Sequence, residues 1–282
     1  MIKNKAKQTS PRMVFWKRGA CSTAMCHLLN REYNNVHSPE EDALALLAGG
    51  ILLKGHQCGM LWGAVLAVGR EACRLHDTDD AAISAAVSAS RELVQSFRKR
   101  CGTLDCRDIT KTDWGNKVQF ARYMFKTIIH GFIFSPCFNL MAKWTPEVIQ
   151  AAKKGFETAD VSQKRVSSCT TEVLRTIGAS REDAISAAGF AGGLALSGHG
   201  CGALGAVLWY RMLIWCRENP GKTPSYFNNR EANRILDVFN AQTGSEMVCS
   251  NICGRNFASI KDHSEYVREG GCKSLLNALS AV

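Results

Sequence analysis

Ten of the thirteen cysteines fall into five pairs that recur in register between the two halves of the 282-residue chain. Cys21 answers Cys169, Cys58 answers Cys201, Cys73 answers Cys216, Cys106 answers Cys249, and Cys137 answers Cys272, while Cys26, Cys101 and Cys253 are left over. Matched sets of thiols suit a short list of chemistries. Four thiolates are what a [2Fe–2S] or [4Fe–4S] cluster requires. Zinc also accepts four cysteines, but structural zinc usually comes with paired CxxC knuckles, and the chain has none. A metal-free dithiol–disulfide relay sets no spacing requirement. Plain burial is the remaining reading, because free cysteine is among the most buried residue types.

The pairs belong to a longer internal repeat. Residues 49–61 read GGILLKGHQCGML and residues 192–204 read GGLALSGHGCGAL. Upstream, CSTAMC at Cys21 answers CTTEVL at Cys169, and EEDA at Glu40 answers REDA at Arg181. Downstream, FRKRCGTLDC ending at Cys106 answers FNAQTGSEMVC ending at Cys249, and CFNLMAKW at Cys137 answers CKSLLNAL at Cys272. A polar stretch at residues 153–165 suits a linker. The expected organisation is one repeat over residues 1–155 and a second over residues 156–282.

The elements that must position these thiols read as helices. Apolar residues recur mostly at helical spacing and strand signals are few. Ser38-Pro39-Glu40-Glu41 has the composition of a helix start, and Ser180-Arg-Glu-Asp183 stands at the matching place. Residues 81–100 predict a helix that ends in a basic turn. The expected fold is all-α, two tandem copies of a cysteine-bearing unit of four to five helices. Ala187 to Tyr210 lacks Asp, Glu, Lys and Arg, but its seven glycines point to tightly packed buried helices rather than a membrane span.

Composition sets the outer bounds. At 46% hydrophobic and 21% charged, the chain buries a core and is not disordered. Its net charge of +10 is uneven, since residues 1–155 hold 22 basic against 13 acidic side chains. The basic residues are scattered, and no nucleic-acid signature accompanies them. Residues 1–12 are polar and basic with no apolar stretch typical of a secretory signal, so a cytoplasmic location is expected. No phosphate-binding glycine loop, nucleotide fingerprint or hydrolase triad is present. Cys21-Ser-Thr-Ala-Met-Cys26-His27 places four residues between its cysteines, where c-type haem attachment normally has two.

The repeated GHxCGxL with its flanking cysteines resembles the redox-active family named for its C…GCAxxG…C…C pattern, over nearly all the chain and twice. Arg18-Gly-Ala-Cys21 looks like the opening cysteine. Cys58-Gly-Met-Leu-Trp-Gly63 is similar to the glycine–cysteine motif, and Gly102-Thr-Leu-Asp-Cys106 looks like the third element. Cys137 takes the place of the fourth, within an aromatic stretch of weaker likeness. The second copy supplies Cys169, Cys201, Cys249 and Cys272, but Cys201 to Gly205 is one residue shorter than Cys58 to Gly63, which predicts a different local turn. The resemblance implies redox chemistry, and a related module in a split-Soret type cytochrome carries an iron–sulfur cluster.

It follows that Cys21, Cys58, Cys106 and Cys137 form one candidate set for binding cofactor iron, and Cys169, Cys201, Cys249 and Cys272 the other. His56, His199, Gly59 and Gly202 are candidates to support them by hydrogen bonding or close backbone approach. Cys73 and Cys216 are expected to lie outside. Each follows its motif cysteine by fifteen residues across a stretch that reads as one helix, which separates the ends by roughly 22 Å unless Gly69 or Gly205 breaks it. The leading functional expectation is a protein with one iron–sulfur cluster per repeat, [2Fe–2S] or [4Fe–4S], passing electrons to an unidentified partner protein. The alternatives are a metal-free thiol–disulfide protein and a zinc-stabilised adaptor without redox activity.

Overall fold

The computed structural model describes residues 9–129, 131 and 135–282, and all fifteen α-helices named below lie within them. The first half holds α1 (Pro11–Arg18), α2 (Cys21–Glu32), α3 (Ser38–Asp42), α4 (Gly59–Leu75), α5 (Asp79–Cys101), α6 (Cys106–Thr110), α7 (Lys117–Ile129) and α8 (Pro136–Glu157). The second holds α9 (Cys169–Thr176), α10 (Arg181–Ser186), α11 (Gly202–Glu218), α12 (Arg230–Thr243), α13 (Cys249–Cys253), α14 (Ile260–Arg268) and α15 (Lys273–Ser280). The fold is all-α. Helices outnumber the four or five expected per half because several are short, one to two turns long. Among the described residues the only β pairings are two isolated bridges, Gln57 with Asp105 and Gly200 with Val248.

Local sequence explains most boundaries. Thr78 caps α5 through its hydroxyl, Arg98, Lys99 and Arg100 face the negative end of its dipole, and left-handed Gly102 stops it. Ser180 caps α10 as expected, whereas Ser38 sits one place inside α3, behind His37. The polar stretch at 153–165 is only partly a linker. Helix α8 runs through it to Glu157, because Gly155 packs against Ala89 of α5, so position 155/156 falls inside a helix.

The stretch from Ala187 to Tyr210 is not one helix. It is a short 3-10 turn (Ala188–Phe190), an irregular loop, and then α11. Among the described residues no helix is long and apolar enough to cross a membrane. The loop has an unusual backbone, and the first half repeats it. Gly49, Gly50, Ile51, Leu52 and Leu53 all have positive φ, as do Gly192, Gly193, Leu194, Ala195 and Leu196. Each run is one turn of left-handed helix, which costs L-residues roughly 1–2 kcal/mol apiece. Ile51 and Leu194 are fully buried, which offsets part of that cost.

The two halves share one core. Trp62 of α4 stacks edge-on against Phe190, Leu204 and Val207 of α11 join Leu44 and Leu47 in the same apolar cluster, and α4 packs on α10. Glycines allow the closest approaches. A Cβ on Gly63 would strike the carbonyl of Ser22, and one on Gly69 that of Ser186. Helix α4 therefore runs unbroken through Gly69, whose role is to admit α10. Replacing Gly69 with Ala gains about 1 kcal/mol in helix propensity but forces a collision with backbone, so net destabilisation of roughly 1–3 kcal/mol is expected. Urea unfolding checks this; an unchanged or higher midpoint would show that α10 does not press on α4.

Candidate functional site

All four candidate cysteines of the first half stand at the start of a helix. Cys21 is the first residue of α2, Cys58 the N-cap of α4, Cys106 the first residue of α6 and Cys137 the second of α8. The second half repeats this with Cys169 opening α9, Cys201 capping α11, Cys249 opening α13 and Cys272 capping α15. Helix N-termini present free amides and positive potential, which favour thiolate over thiol.

A backbone clamp joins the second and third cysteines of each set. Cys58 N–H donates to the Leu104 carbonyl at 2.8 Å, and Cys106 N–H to the His56 carbonyl at 2.7 Å. In the second half Cys201 N–H donates to Met247 at 2.8 Å, and Cys249 N–H to His199 at 2.5 Å. Cys58 and Cys201 share the same cap conformation, with φ of −53° and −56°, so the shorter glycine spacing after Cys201 does not alter the turn as predicted. Gly205 instead lies flat against Trp62 of the other half.

The four first-half thiols line one cavity of about 410 Å³. Its walls are mainly apolar and aromatic, including Phe15, Phe120, Met124 and Phe138, and no described lining residue is charged. Cys21 is held below the usual thiol range by a hydrogen bond from Cys58 and by the amides of Gly49 and Ser22. Cys58, which keeps its proton to donate, is pushed well up. Burial also raises Cys106 and Cys137, the latter to about 12. The Tyr123 hydroxyl donates to Cys137 Sγ at 3.1 Å, and Trp114 faces Cys106. Gly59 is small because the Cys21 sulfur lies where its Cβ would be, at 2.6 Å.

The second-half thiols also gather, but tightly. Cys169, Cys201, Cys249, Cys253 and Cys272 border a space of only about 10 Å³, with His263, Tyr266 and Ile252. Sulfur touches sulfur, Cys253 to Cys272 at 3.5 Å and Cys249 to Cys253 at 3.9 Å. The amide of Gly192 serves Cys169 as that of Gly49 serves Cys21. Gly202 abuts the Phe190 carbonyl rather than a sulfur.

The two histidines support the sites through their backbone carbonyls, and their rings turn to the contact between the halves. His199 Nδ1 is 3.5 Å from Asp105, and Arg98 reaches its Nε2 at 3.4 Å. Burial lowers the pKa of His56, which lies in the field of Asp105, Arg107 and His199. Cys73 and Cys216 lie in the last turn of α4 and near the end of α11, far from the motif ends, with Cys73 beside Arg181 at 3.3 Å. Cys26 is buried beside Asn30, and His27 is engaged with Glu41 at 2.9 Å. Cys101 closes α5, half-buried. Sequence reasoning misses Tyr123, Trp114 and Tyr266 as site residues, whereas the helical i,i+4 spacing of Cys249 and Cys253 already offers Cys253 as an alternative ligand. Among the described residues no three His, Cys, Asp or Glu side chains are gathered closely enough to hold a single metal ion.

Residues 20–146 match a family model described as "Putative redox-active protein (C_GCAxxG_C_C)", a span that contains Cys21, Cys58, Cys106 and Cys137. Over those residues the chain is similar to the C_GCAxxG_C_C family. No curated protein and no solved structure matches the chain.

His263 gives the second site a pH dependence. Burial pushes its pKa down to about 4, from 6.5. Between those values the unfolded chain binds the proton and the folded chain does not, so stability is complete above pH 6.5 and is lost as pH falls toward 4. The full loss is roughly 3 kcal/mol at about 1.4 kcal/mol per pKa unit. Urea titrations at pH 7 and pH 5 should show wild type losing more stability than His263→Phe, and parallel losses would place the ring in contact with water.

Proposed function

We propose that the first half holds an iron–sulfur cluster through Cys21, Cys58, Cys106 and Cys137, and that the chain exchanges electrons through it with a partner protein. The observation that carries this reading is the convergence of four thiols, each at a helix start, on one cavity of about 410 Å³. The donor set fits the group. Four thiolates are the usual ligands, and a cluster of several irons holds them further apart than one ion does. The cavity has room for more than a single ion, and the family's description as redox-active agrees with a cluster that takes up and releases electrons.

The chain's own residues supply the rest. The positive ends of α2, α4 and α8 offset the negative charge of four thiolates and their cluster. The amides of Gly49 and Ser22 and the Tyr123 hydroxyl donate hydrogen bonds to sulfur, which lowers its electron density and raises the potential at which an electron is accepted. Apolar walls exclude water. The matching clamp, left-handed turn and helix-start cysteines of the second half support its origin as a copy of the same unit.

Anaerobic reconstitution with iron and sulfide, followed by absorption spectra and assays for iron and acid-labile sulfide, tests the reading. Wild type should bind both, Cys58→Ser should lose them, and Cys73→Ala should keep them. Iron retained by Cys58→Ser, or lost from a folded Cys73→Ala, would refute the assignment.

A further inference from the structure

The second half has the cysteines of a cluster site without the space for one. Its thiols enclose about 10 Å³, roughly the room for one water molecule. An iron–sulfur cluster does not fit this arrangement. The half also has a thiol that the first lacks. Cys253 stands four residues after Cys249, where Thr110 stands four residues after Cys106, and both line their cavities.

Cys253 and Cys272 are in sulfur contact at 3.5 Å, and a disulfide needs about 2.05 Å, so closure takes an approach of about 1.5 Å. The surroundings allow that. Cys253 is the last residue of α13. Cys272 follows Gly270 and Gly271 and has a left-handed φ of 59° as the cap of α15. Both sulfurs lie at helix ends rather than within rigid turns. Both residues are partly exposed, whereas Cys169, Cys201 and Cys249 are buried. Tyr266 places its hydroxyl 3.8 Å from Cys272.

We propose that Cys253 and Cys272 are a redox-active dithiol, oxidised to an intramolecular disulfide by a low-molecular-weight disulfide. The Cys253 sulfur, having released its proton, attacks one sulfur of the small disulfide, whose other sulfur leaves and takes up a proton as the first small thiol. The deprotonated Cys272 sulfur then attacks Cys253 in the mixed disulfide and displaces the second small thiol. Two protein thiols and one small disulfide become one protein disulfide and two small thiols, with no other electron carrier. The attacking species is the thiolate, so exchange accelerates with rising pH. This site stands on the second half alone and is independent of the cluster proposed for the first.

The full chain, reduced and then incubated with oxidised glutathione at alkaline pH, is quenched with an alkylating agent and mapped by peptide mass spectrometry. A peptide pair joining Cys272 to Cys253 is expected, with two glutathiones released per cross-link formed. The cross-link should survive Cys249→Ser and vanish in Cys253→Ser. Free, alkylated Cys272 after oxidation would overturn the proposal, and so would stable glutathionylation or a bond to Cys249 instead. A second complement of iron in the reconstituted wild type, removed by Cys272→Ser, would also overturn it. A chain that binds no iron yet forms the cross-link supports this dithiol and refutes the cluster of the first half.

Discussion

A single left-handed helical turn, built twice, is the constraint on which the rest of the structure depends. Residues 49–53 and 192–196 run five in a row at positive φ, and three of each five carry side chains. At roughly 1–2 kcal/mol per such residue the turn costs about 3–6 kcal/mol in each half. It reverses the chain tightly enough for Gly55 N–H to reach the Gly49 carbonyl and His56 N–H the Gly50 carbonyl. That closure aims the His56 carbonyl at the Cys106 amide and the Gly49 amide at the Cys21 sulfur. Three cysteines that are distant in sequence are thus placed by one strained loop. Strain kept twice in the same register fits a site that needs rigid, preorganised donors.

The same loops join the halves. Gln57, next to Cys58, sends its amide Nε2 to the Gly193 carbonyl at 3.1 Å and the Gly200 carbonyl at 3.5 Å. Gly200 holds the place of Gln57 in the second half, where the space for a side chain is already filled by the Gln57 Oε1 at 2.6 Å. An exact repeat would collide with itself here. One glutamine and one glycine are the solution, and with the contact of His199 to Asp105 they join the two cysteine sites. Residues of both halves pack into the same apolar cluster.

Much of this was legible in the sequence because it rests on covalent spacing. Helical periodicity gave the all-α class, the repeated Gly-His-x-Cys-Gly gave the matched loops, and the length of the stretch from Cys58 to Cys73 placed that pair at opposite ends of one helix. The rest depends on long-range packing that spacing does not encode. Gly69 reads as a helix breaker until α10 is seen against it. Gly49 and Gly50 suggest a turn, but nothing local announces that Ile51, Leu52 and Leu53 would follow them into the left-handed region, which only burial of Ile51 makes tolerable. Tyr123 stands in an unremarkable amphipathic helix, and its place on Cys137 follows from how α7 folds back over the site.

The difference between the two sites has a simple origin in chain length. Third and fourth cysteines are 31 residues apart in the first half, Cys106 to Cys137, and 23 apart in the second, Cys249 to Cys272. Each interval supplies a helix that covers the site and a tyrosine that reaches the fourth cysteine, α7 with Tyr123 and α14 with Tyr266. The longer interval makes α7 thirteen residues long against nine for α14, and its inner face stands off from the thiols behind Phe120 and Met124. The shorter one draws α14 and Cys272 down onto α13 until sulfur meets sulfur. With the clamp, the left-handed turn and the helix-start cysteines held constant, eight residues of covering segment decide whether four thiols surround a cavity or close on one another.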